Sequence, residues 1–232
     1  AMSKSWRTPL KGQKFIASYS GGKDSTLALY AALQTGEALG LIIMLEEQGL
    51  RSRSHAMPLD IIYAQAQSIG LPILTASANW QDYEAEFLKL LSKAQNMGAQ
   101  TLVTGDLDLP EHGCWHEKVA MQAGLELYMP LWQRPHLEVV QEFIKHGFRT
   151  IVTTVNLTLG MTADDLGQTL SLDYIQALQH RGIDPCGEGG EFHTTVLDGP
   201  LFKNPIAVRQ GEILYHDDYA FLALELEHQL IF

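Results

Sequence analysis

Positions 20–25 carry the hexapeptide Ser-Gly-Gly-Lys-Asp-Ser, whose residue types are suited to holding a phosphate group. Its two glycines let backbone amides point toward one anion, and a helix starting after them adds partial positive charge. Lys23 supplies a cation, while Asp24 can orient the loop or hold Mg²⁺ through water. A Walker A loop has Ser or Thr directly after its Gly-Lys pair, so Asp24 argues against a γ-phosphate cradle. The alternative is a plain glycine turn in which Asp24 or Ser25 caps a helix.

A second position with chemical potential is Gly105-Asp106, directly after the apolar run at 101–104. Open parallel sheets bind ligands beyond the carboxyl ends of their strands, so we expect Asp106 to contact a metal, a ribose or an acceptor. The alternative is that Asp106 caps the helix that follows.

A candidate transition-metal group is formed by His112, Cys114, His116 and Glu117. Histidines four residues apart share one helix face, and a thiolate is a soft ligand. The signal is weak, because no second ligand pair at zinc spacing occurs. Gly113 predicts that the helix starts only at Trp115, in which case Trp115 and the histidines form a pocket wall instead.

Alternating strands and helices are predicted to position these residues. Apolar runs predict strands at residues 14–19, 38–45, 71–75, 101–104 and from 125. Helical periodicity predicts helices at 25–33, 59–69, 80–97 and 111–123. This alternation indicates an α/β fold with a doubly wound, five-stranded parallel sheet.

The regular alternation of strands and helices ends after Pro130, which predicts a smaller C-terminal α+β domain. Its predicted elements are helices at 137–145 and around 170–180, and a strand from Arg149. The glycine-rich stretch 185–194 has no apolar period and is predicted to be a loop. We therefore expect two domains, one at 11–134 that carries the hexapeptide and a smaller one at 135–232 that carries the glycine-rich stretch.

The hexapeptide resembles the PP-loop of the ATP pyrophosphatases, which bind ATP, adenylate an oxygen and let a nitrogen or sulfur nucleophile displace AMP. Three further segments narrow the resemblance to the diphthine-ammonia ligase family of N-type ATP pyrophosphatases: CGEGGEFHT at 186–194, Gly105-Asp106, and AQAQSIGLP at 64–72. The similarity extends from about Lys14 to Phe202.

This resemblance implies an adenine nucleotide alpha hydrolase-like (HUP) fold with ATP and Mg²⁺ as cofactors. It implies a ligase that adenylates a carboxylate, in that family the carboxylate of diphthine on elongation factor 2, and joins it to ammonia with release of AMP and pyrophosphate. The implied metal ligands are Asp24 and Asp106. The implied nucleotide-binding residues are Ser18, Ser20, Gly21, Gly22, Lys23, Asp24, Ser25, Gly105 and Asp106.

Glu188 and Glu191 flank two glycines, a spacing that lets both carboxylates converge on one amine or metal. His193 can then accept a proton from ammonia. A surface loop with two solvated acids is the alternative. With the cation and carboxylate of the PP-loop included, the expected catalytic residues are Lys23, Asp24, Glu188, Glu191 and His193.

Residues 107–118 depart from the family pattern, since LDLPEHGCWHEK stands where these ligases usually carry a Tyr-Gln-Arg segment. The stretch is similar to a bacterial branch of the family. Diphthamide is a modification of archaea and eukaryotes, so a bacterial host would require another acceptor, a small molecule or a protein. Two other functions stay open: tRNA thiolation with Cys114 or Cys186 carrying sulfur as a persulfide, and a non-catalytic adenine-nucleotide sensor.

The composition of the chain limits the classes of molecule that it is expected to bind. The net charge of -11 repels a phosphate backbone and disfavours nucleic acid. The short basic cluster of Arg51, Arg53 and His55 is more typical of a solvated loop. No apolar run is long enough to cross a bilayer, and two cysteines do not indicate a disulfide framework, so we expect a cytoplasmic protein. The oligomeric state is left open, a homodimer included.

Overall fold

The computed structural model describes most of the 232-residue chain, namely residues 6–47, 49 and 57–227. The chain divides into two compact units, with the boundary between Arg134 and Pro135. The basic cluster of Arg51, Arg53 and His55 lies outside the described residues. Among the helices of the described ranges, none combines the length and the apolar character needed to cross a membrane.

Unit 1 alternates strands with helices along the chain. Its strands are β1 (Lys14–Ser18), β2 (Glu37–Leu45), β3 (Ile73–Ser77), β4 (Thr101–Val103) and β5 (Glu126–Tyr128). Its helices are α1 (Lys23–Leu33), α2 (Leu59–Ile69), α3 (Tyr83–Asn96) and α4 (Pro110–Gln122). The strands pair in parallel in the order β3-β2-β1-β4-β5. The prediction of a five-stranded parallel α/β sheet is therefore confirmed.

Strand order decides where a ligand can bind in unit 1. The chain runs outward through β1, β2 and β3, then returns past β1 to β4 and β5. The direction of winding therefore reverses between β1 and β4, and such reversals open a crevice at the carboxyl edge of the sheet. The hexapeptide joins β1 to α1, and Gly105-Asp106 follows β4. Both motifs thus flank the crevice.

The core of unit 1 explains why β1 and β2 read as nearly continuous apolar runs. A parallel sheet is covered on both faces, so its central strands expose little side-chain surface to water. Ile16 of β1, Ile42 of β2 and Leu102 of β4 are fully buried in one cluster with Phe87 and Leu91 of α3. Helix α3 therefore holds one face of the sheet.

Unit 2 is built on an antiparallel sheet. Its helices are α5 (His136–Lys145) and α6 (Leu172–His180), with a short 3-10 helix at Ala163–Asp165. Its strands are β6 (Arg149–Asn156), β7 (Phe192–Asp198), β8 (Val208–His216) and β9 (Tyr219–Leu226), in the order β7-β6-β9-β8. Neighbouring strands pair antiparallel, and β6 and α6 share one buried cluster. The prediction of an α+β C-terminal region agrees with this architecture.

Several predicted boundaries are wrong. The predicted loop at 185–194 ends early, because β7 begins at Phe192 and pairs with β6 from its first residue. The β8–β9 hairpin was not predicted. Helix α4 begins at Pro110 and includes Gly113, so the helix predicted at 111–123 is confirmed and only the later start at Trp115, suggested by Gly113, is wrong. A Cβ on Gly113 would lie 2.9 Å from the rings of both Trp132 and Trp6, so this glycine permits close packing and does not end the helix.

A buried ion pair fastens the 3-10 helix of unit 2 to α6. Asp165 accepts hydrogen bonds from both terminal nitrogens of Arg181, at 2.7 and 2.8 Å, and from the Tyr174 hydroxyl at 2.7 Å. The Thr162 amide donates to the same carboxylate at 2.8 Å. Burial raises the pKa of Asp165, but these donors outweigh it and lower the pKa to about 2.

Asp165→Asn is expected to destabilise unit 2 at pH 7. The folded pKa lies below the unfolded value of about 3.9, so the ion pair stabilises fully above about pH 4 and loses this contribution as pH falls toward 2. Because the Arg181 side chain is 35% exposed, solvent screens the ion pair, and we expect the free energy of unfolding to fall by only about 1–2 kcal/mol.

Hydrogen exchange of β6 amides at pH 7 measures this loss within unit 2. As the pH is lowered, the denaturant midpoint of unfolding of the wild-type chain should approach that of Asp165→Asn. Asp164→Asn changes the exposed neighbour and is the matched control. Equal exchange in the two variants would contradict a stabilising role for the ion pair.

Candidate active site

Two serine hydroxyls close the hexapeptide loop. The Ser20 amide donates to Ser25 Oγ at 3.1 Å, and the two hydroxyl oxygens lie 3.0 Å apart. The Gly22 amide donates to Ser20 Oγ at 3.3 Å. These bonds join the end of β1 to the first turn of α1. The N-cap of α1 is Gly22 and no side chain caps it, so the alternative of Asp24 or Ser25 as a helix cap is wrong.

Gly21 is required by both its conformation and its surroundings. Its φ is +80°, a region that side chains other than glycine rarely adopt. A Cβ there would lie 2.6 Å from Met57 Sδ and 2.7 Å from Gln65 Oε1. The fully buried Gln65 donates through Nε2 to the Gly21 carbonyl at 3.1 Å. Gln65, in the AQAQ segment of α2, therefore packs against the hexapeptide loop at Gly21 and stabilises its backbone.

The cation of the loop is buried. Lys23 Nζ lies 3.0 Å from Asp24 Oδ2, and the two side chains are 7% and 25% exposed. The first amides of any α-helix have no partner within the helix, so the start of α1 favours an anion beside this lysine. Ser18 is half-buried at the end of β1, one residue before the buried Tyr19.

Gly105 brings the end of β4 against the hexapeptide loop. A Cβ on Gly105 would lie 2.8 Å from the carbonyl carbon of Asp24 and 2.8 Å from the amide nitrogen of Ser25. Two backbones can approach this closely only where one residue has no side chain. The structure therefore brings Gly105 and the hexapeptide loop together in space.

Asp106 is held by residues on both sides of it in sequence. Thr104 Oγ1 donates to Asp106 Oδ2 at 2.5 Å, and His116 Nδ1 of α4 lies 2.7 Å from the same oxygen. His112 Nδ1 is 3.9 Å from Asp106 Oδ1. Burial raises the pKa of Asp106, but His116, Thr104 and His112 outweigh it and hold the pKa below its ordinary value. Asp106 is thus an ionised, positioned carboxylate.

Two alternatives for this region do not match the structure. The N-cap of α4 is Leu109 and no side chain caps it, so Asp106 is not the helix cap. His112 Nδ1 and His116 Nδ1 lie near different oxygens of the Asp106 carboxylate, and His112, Cys114 and His116 do not form one metal-ligating group among the described residues. Cys114 of the same helix is exposed.

In unit 2, Asp184 organises the glycine-rich stretch. Its carboxylate accepts from the amides of Cys186 at 3.0 Å and Glu188 at 3.1 Å. His136 Nδ1 at the start of α5 lies 2.7 Å from Asp184 Oδ2. Gly187 has φ +70°, and a Cβ there would lie 2.9 Å from the Phe192 carbonyl. These contacts give the stretch one defined backbone path.

The two acids of this stretch differ in burial. Glu188 is half-buried. Glu191 is buried, and its Oε1 has no hydrogen-bond partner among the residues that the structure describes. A buried carboxylate oxygen without a partner is costly, and a bound ligand, a catalytic role or a bound water would each explain it. The alternative of two solvated acids is wrong for Glu191. His193 lies on β7, opposite Thr154 of β6.

Three positioning residues were missed by the sequence analysis: Thr104, Asp184 and His136. Thr104 and Asp184 each lie two residues before a motif residue that they hold, and for Asp184, which accepts the Cys186 amide, this is the spacing of an Asx turn. That spacing was the available signal for them. His136 is far from Asp184 in sequence, and nothing in the sequence pairs them.

Comparison with protein families matches both units. The family model described as "Diphthamide synthase N-terminal domain" matches residues 13–127. The model described as "Diphthamide synthase C-terminal domain" matches residues 135–230. The hexapeptide and Gly105-Asp106 fall in the first match, and the glycine-rich stretch falls in the second.

Several curated relatives are named diphthine–ammonia ligase. The protein from Danio rerio is 35% identical over 90% of this chain and 91% of its own length. The protein from Schizosaccharomyces pombe is 29% identical over 88% of this chain and 37% of its own length. The human protein is 36% identical over 45% of this chain and 40% of its own length.

The chain therefore spans well under half the length of the yeast and human relatives that it matches, but nearly all of the zebrafish one. A solved structure described as a predicted subunit of tRNA methyltransferase from Methanocaldococcus jannaschii is 12% identical over 81% of this chain and 97% of its own, with a TM-score of 0.44. That likeness is too low to support any inference. With both domain models and the zebrafish relative in agreement, the chain belongs to the diphthamide synthase family of PP-loop ATP pyrophosphatases.

Proposed function

We propose that the chain is an ATP-dependent ligase that adenylates a carboxylate and then forms an amide with ammonia, releasing AMP and pyrophosphate. The observation that carries this proposal is the closed hexapeptide loop with the buried Lys23, against which Gly105 packs. The name shared by its relatives, diphthine–ammonia ligase, supports the same reaction class.

In the first step, an oxygen of the acceptor carboxylate attacks the α-phosphorus of ATP. The bond from that phosphorus to the bridging oxygen of the β-phosphate breaks, and pyrophosphate leaves with the electron pair. The loop amides and the Lys23 ammonium hold the charge that accumulates on pyrophosphate, and they are positioned before the reaction. The product is an acyl adenylate.

In the second step, the lone pair of ammonia attacks the acyl carbon and AMP leaves, so that a carbon–nitrogen bond replaces a carbon–oxygen bond. The proton lost by nitrogen goes to a base. We assign Glu191 and Glu188 to binding the incoming amine, and His193 to accepting the proton. The buried Glu191 oxygen without a described partner supports this assignment.

Asp24 and Asp106 are the residues that would hold Mg²⁺, and their surroundings suit it. Both are carboxylates on backbones that meet at Gly105, and Asp106 is kept ionised by its neighbours. Bound Mg²⁺ neutralises phosphate charge. His116 and Thr104 then fix the direction in which Asp106 presents its carboxylate.

His116→Phe is expected to weaken binding of magnesium-ATP by about 10-fold, because the groups that orient a metal ligand commonly contribute 10–100-fold to metal affinity. Calorimetric titration with and without EDTA measures the effect. His112→Phe is the matched control, since His112 is 63% exposed and its nitrogen is 3.9 Å from Asp106. If the loss persists unchanged in EDTA, His116 does not act through the metal.

The acceptor is proposed to be a carboxylate, with diphthine the first candidate because the relatives are named for it. We place the reaction in the cytoplasm, a reducing compartment that suits Cys114 and Cys186, neither of which forms a disulfide. Cys186 is 1% exposed, so it offers little access for the sulfur transfer that thiolation would need.

Exchange of labelled pyrophosphate into ATP tests the adenylation step. With acceptor present and ammonium omitted, the acyl adenylate accumulates and reverts, so label should enter ATP. Label should not enter when acceptor is left out. Acceptor-dependent amide formation without any exchange, under conditions where ATP binds, would contradict a free acyl adenylate and pyrophosphate.

A further inference from the structure

Strand β8 is one of the two outer strands of the unit 2 sheet, and its side chains are poorly covered. In the described part of the chain it pairs on one side only, with β9. From Arg209 to His216 every residue is exposed. Three of these in a row are large and apolar: Ile213 is 41%, Leu214 46% and Tyr215 65% exposed. Neighbouring side chains on a strand point to opposite sides, so both faces of β8 carry apolar surface.

Such an edge is unusual for a chain that stays alone in solution. Open edge strands template further strand pairing, and proteins normally protect them with charges, proline or strong irregularity. β8 has one irregularity, a register shift in its pairing with β9 between Gln210 and Ile213. From Ile213 to His216 the pairing with β9 is regular. The regular part is therefore the part that can accept a new strand.

The residues around Leu214 are complementary to their own reversed copy. In an antiparallel pair with Leu214 opposite Leu214, Ile213 faces Tyr215 and Glu212 faces His216. Apolar side chains then meet apolar ones on both faces, and each carboxylate meets an imidazole, as favourable cross-strand pairs do. Each copy contributes the same patch, which is the condition for a two-fold interface.

We propose that the occupant of this edge is a second copy of the chain, joined through antiparallel β8–β8 pairing about Leu214. Pairing joins the two four-stranded sheets into one sheet of eight strands and covers the open β8 edge of each copy, while β7 stays at the two outer edges. The interface involves none of the residues of the candidate active site. The proposed dimer can therefore be tested independently of the proposed ligase activity.

Analytical ultracentrifugation of the full chain tests the proposal. The wild-type chain should sediment as a dimer with a dissociation constant of about 1 μM. Leu214→Lys sets two ammonium groups opposite each other across the two-fold axis, and it should raise the dissociation constant at least about 10-fold. Met121→Lys, at a 72% exposed position on α4, is the matched control and should leave the dimer intact.

A charge exchange tests the register itself. Glu212→His sets imidazole against imidazole and should weaken the dimer. Adding His216→Glu exchanges the two partners, and Glu again faces His, so the double variant should recover wild-type affinity. Both positions are exposed, so folding should be unaffected, which circular dichroism checks.

Three results would overturn the proposal. One is a wild-type chain that stays monomeric at 100 μM, about a hundred times the expected dissociation constant. Another is a folded Leu214→Lys variant that dimerises as tightly as the wild type. The third is a double variant no tighter than Glu212→His alone, which would exclude this register. ATP binding, measured in parallel, reports on the active site separately.

Discussion

Ser25→Ala is expected to lower the affinity for ATP by about 100-fold. The Ser25 hydroxyl accepts the Ser20 amide at 3.1 Å and lies 3.0 Å from the Ser20 hydroxyl, so its loss releases the start of the loop. A buried donor left without a partner costs about 1–3 kcal/mol, and any contact of the Ser25 hydroxyl with a phosphate, as proposed for this loop, would be lost in addition. Asp24→Ala should also lower the affinity for ATP, because Asp24 Oδ2 lies 3.0 Å from Lys23 Nζ, the cation of the loop.

Isothermal titration with ATP measures this loss. Ser171→Ala is the matched control, since Ser171 also accepts a backbone amide, that of Tyr174 at 3.1 Å, but at the start of α6 in unit 2. It should cost stability through loss of a helix cap and leave ATP affinity unchanged. Unchanged affinity in Ser25→Ala would show that the loop does not depend on this closure to bind ATP.

Glu188→Ala and Glu191→Gln are expected to bind ATP normally and to lose turnover by about 10³-fold. Loss of turnover without loss of ATP affinity is the signature of groups that act in the reaction and not in nucleotide binding. The glutamine side chain keeps the size of Glu191 and removes only its charge. The buried oxygen that has no described partner would then no longer attract an amine or its proton.

Single-turnover assays separate the two acids. Asp173→Asn removes an exposed carboxylate in the first turn of α6 and should have wild-type turnover. A Glu191→Gln variant that is fully active and folded would show that the buried carboxylate serves structure alone. A Glu188→Ala variant that retains full turnover would count against an acceptor-binding role for the glycine-rich stretch.

Local sequence patterns predicted the framework of unit 1 because its determinants are local. The apolar run of β1, the glycines after it and the periodicity of α1 lie within about twenty residues, and each reports its own element. Helix α2 matches its predicted bounds at Leu59 and Ile69, since Gly70 in the left-handed conformation ends it. Edge elements without a buried face, such as β8, carry no such signal.

The contacts that complete the candidate site depend on tertiary packing. Gly105 was expected at the nucleotide, but its role as the point where β4 meets the loop backbone follows only from the sheet order. The pairing of Asp106 with His116 requires α4 to begin at Pro110, six residues before the histidine, and Gly113 misleadingly indicates otherwise. Burial of Glu191 likewise depends on β7 starting at Phe192.

We propose that this chain cleaves ATP between its α- and β-phosphates in order to activate a carboxylate. The most direct test incubates the protein with Mg²⁺, ammonium, an extract of its host cells and ATP labelled at either the α- or the γ-phosphate. The account predicts labelled AMP from the first and labelled pyrophosphate from the second, both dependent on extract and both lost in Ser25→Ala. Labelled ADP with free phosphate, or no cleavage although ATP is bound, would contradict it.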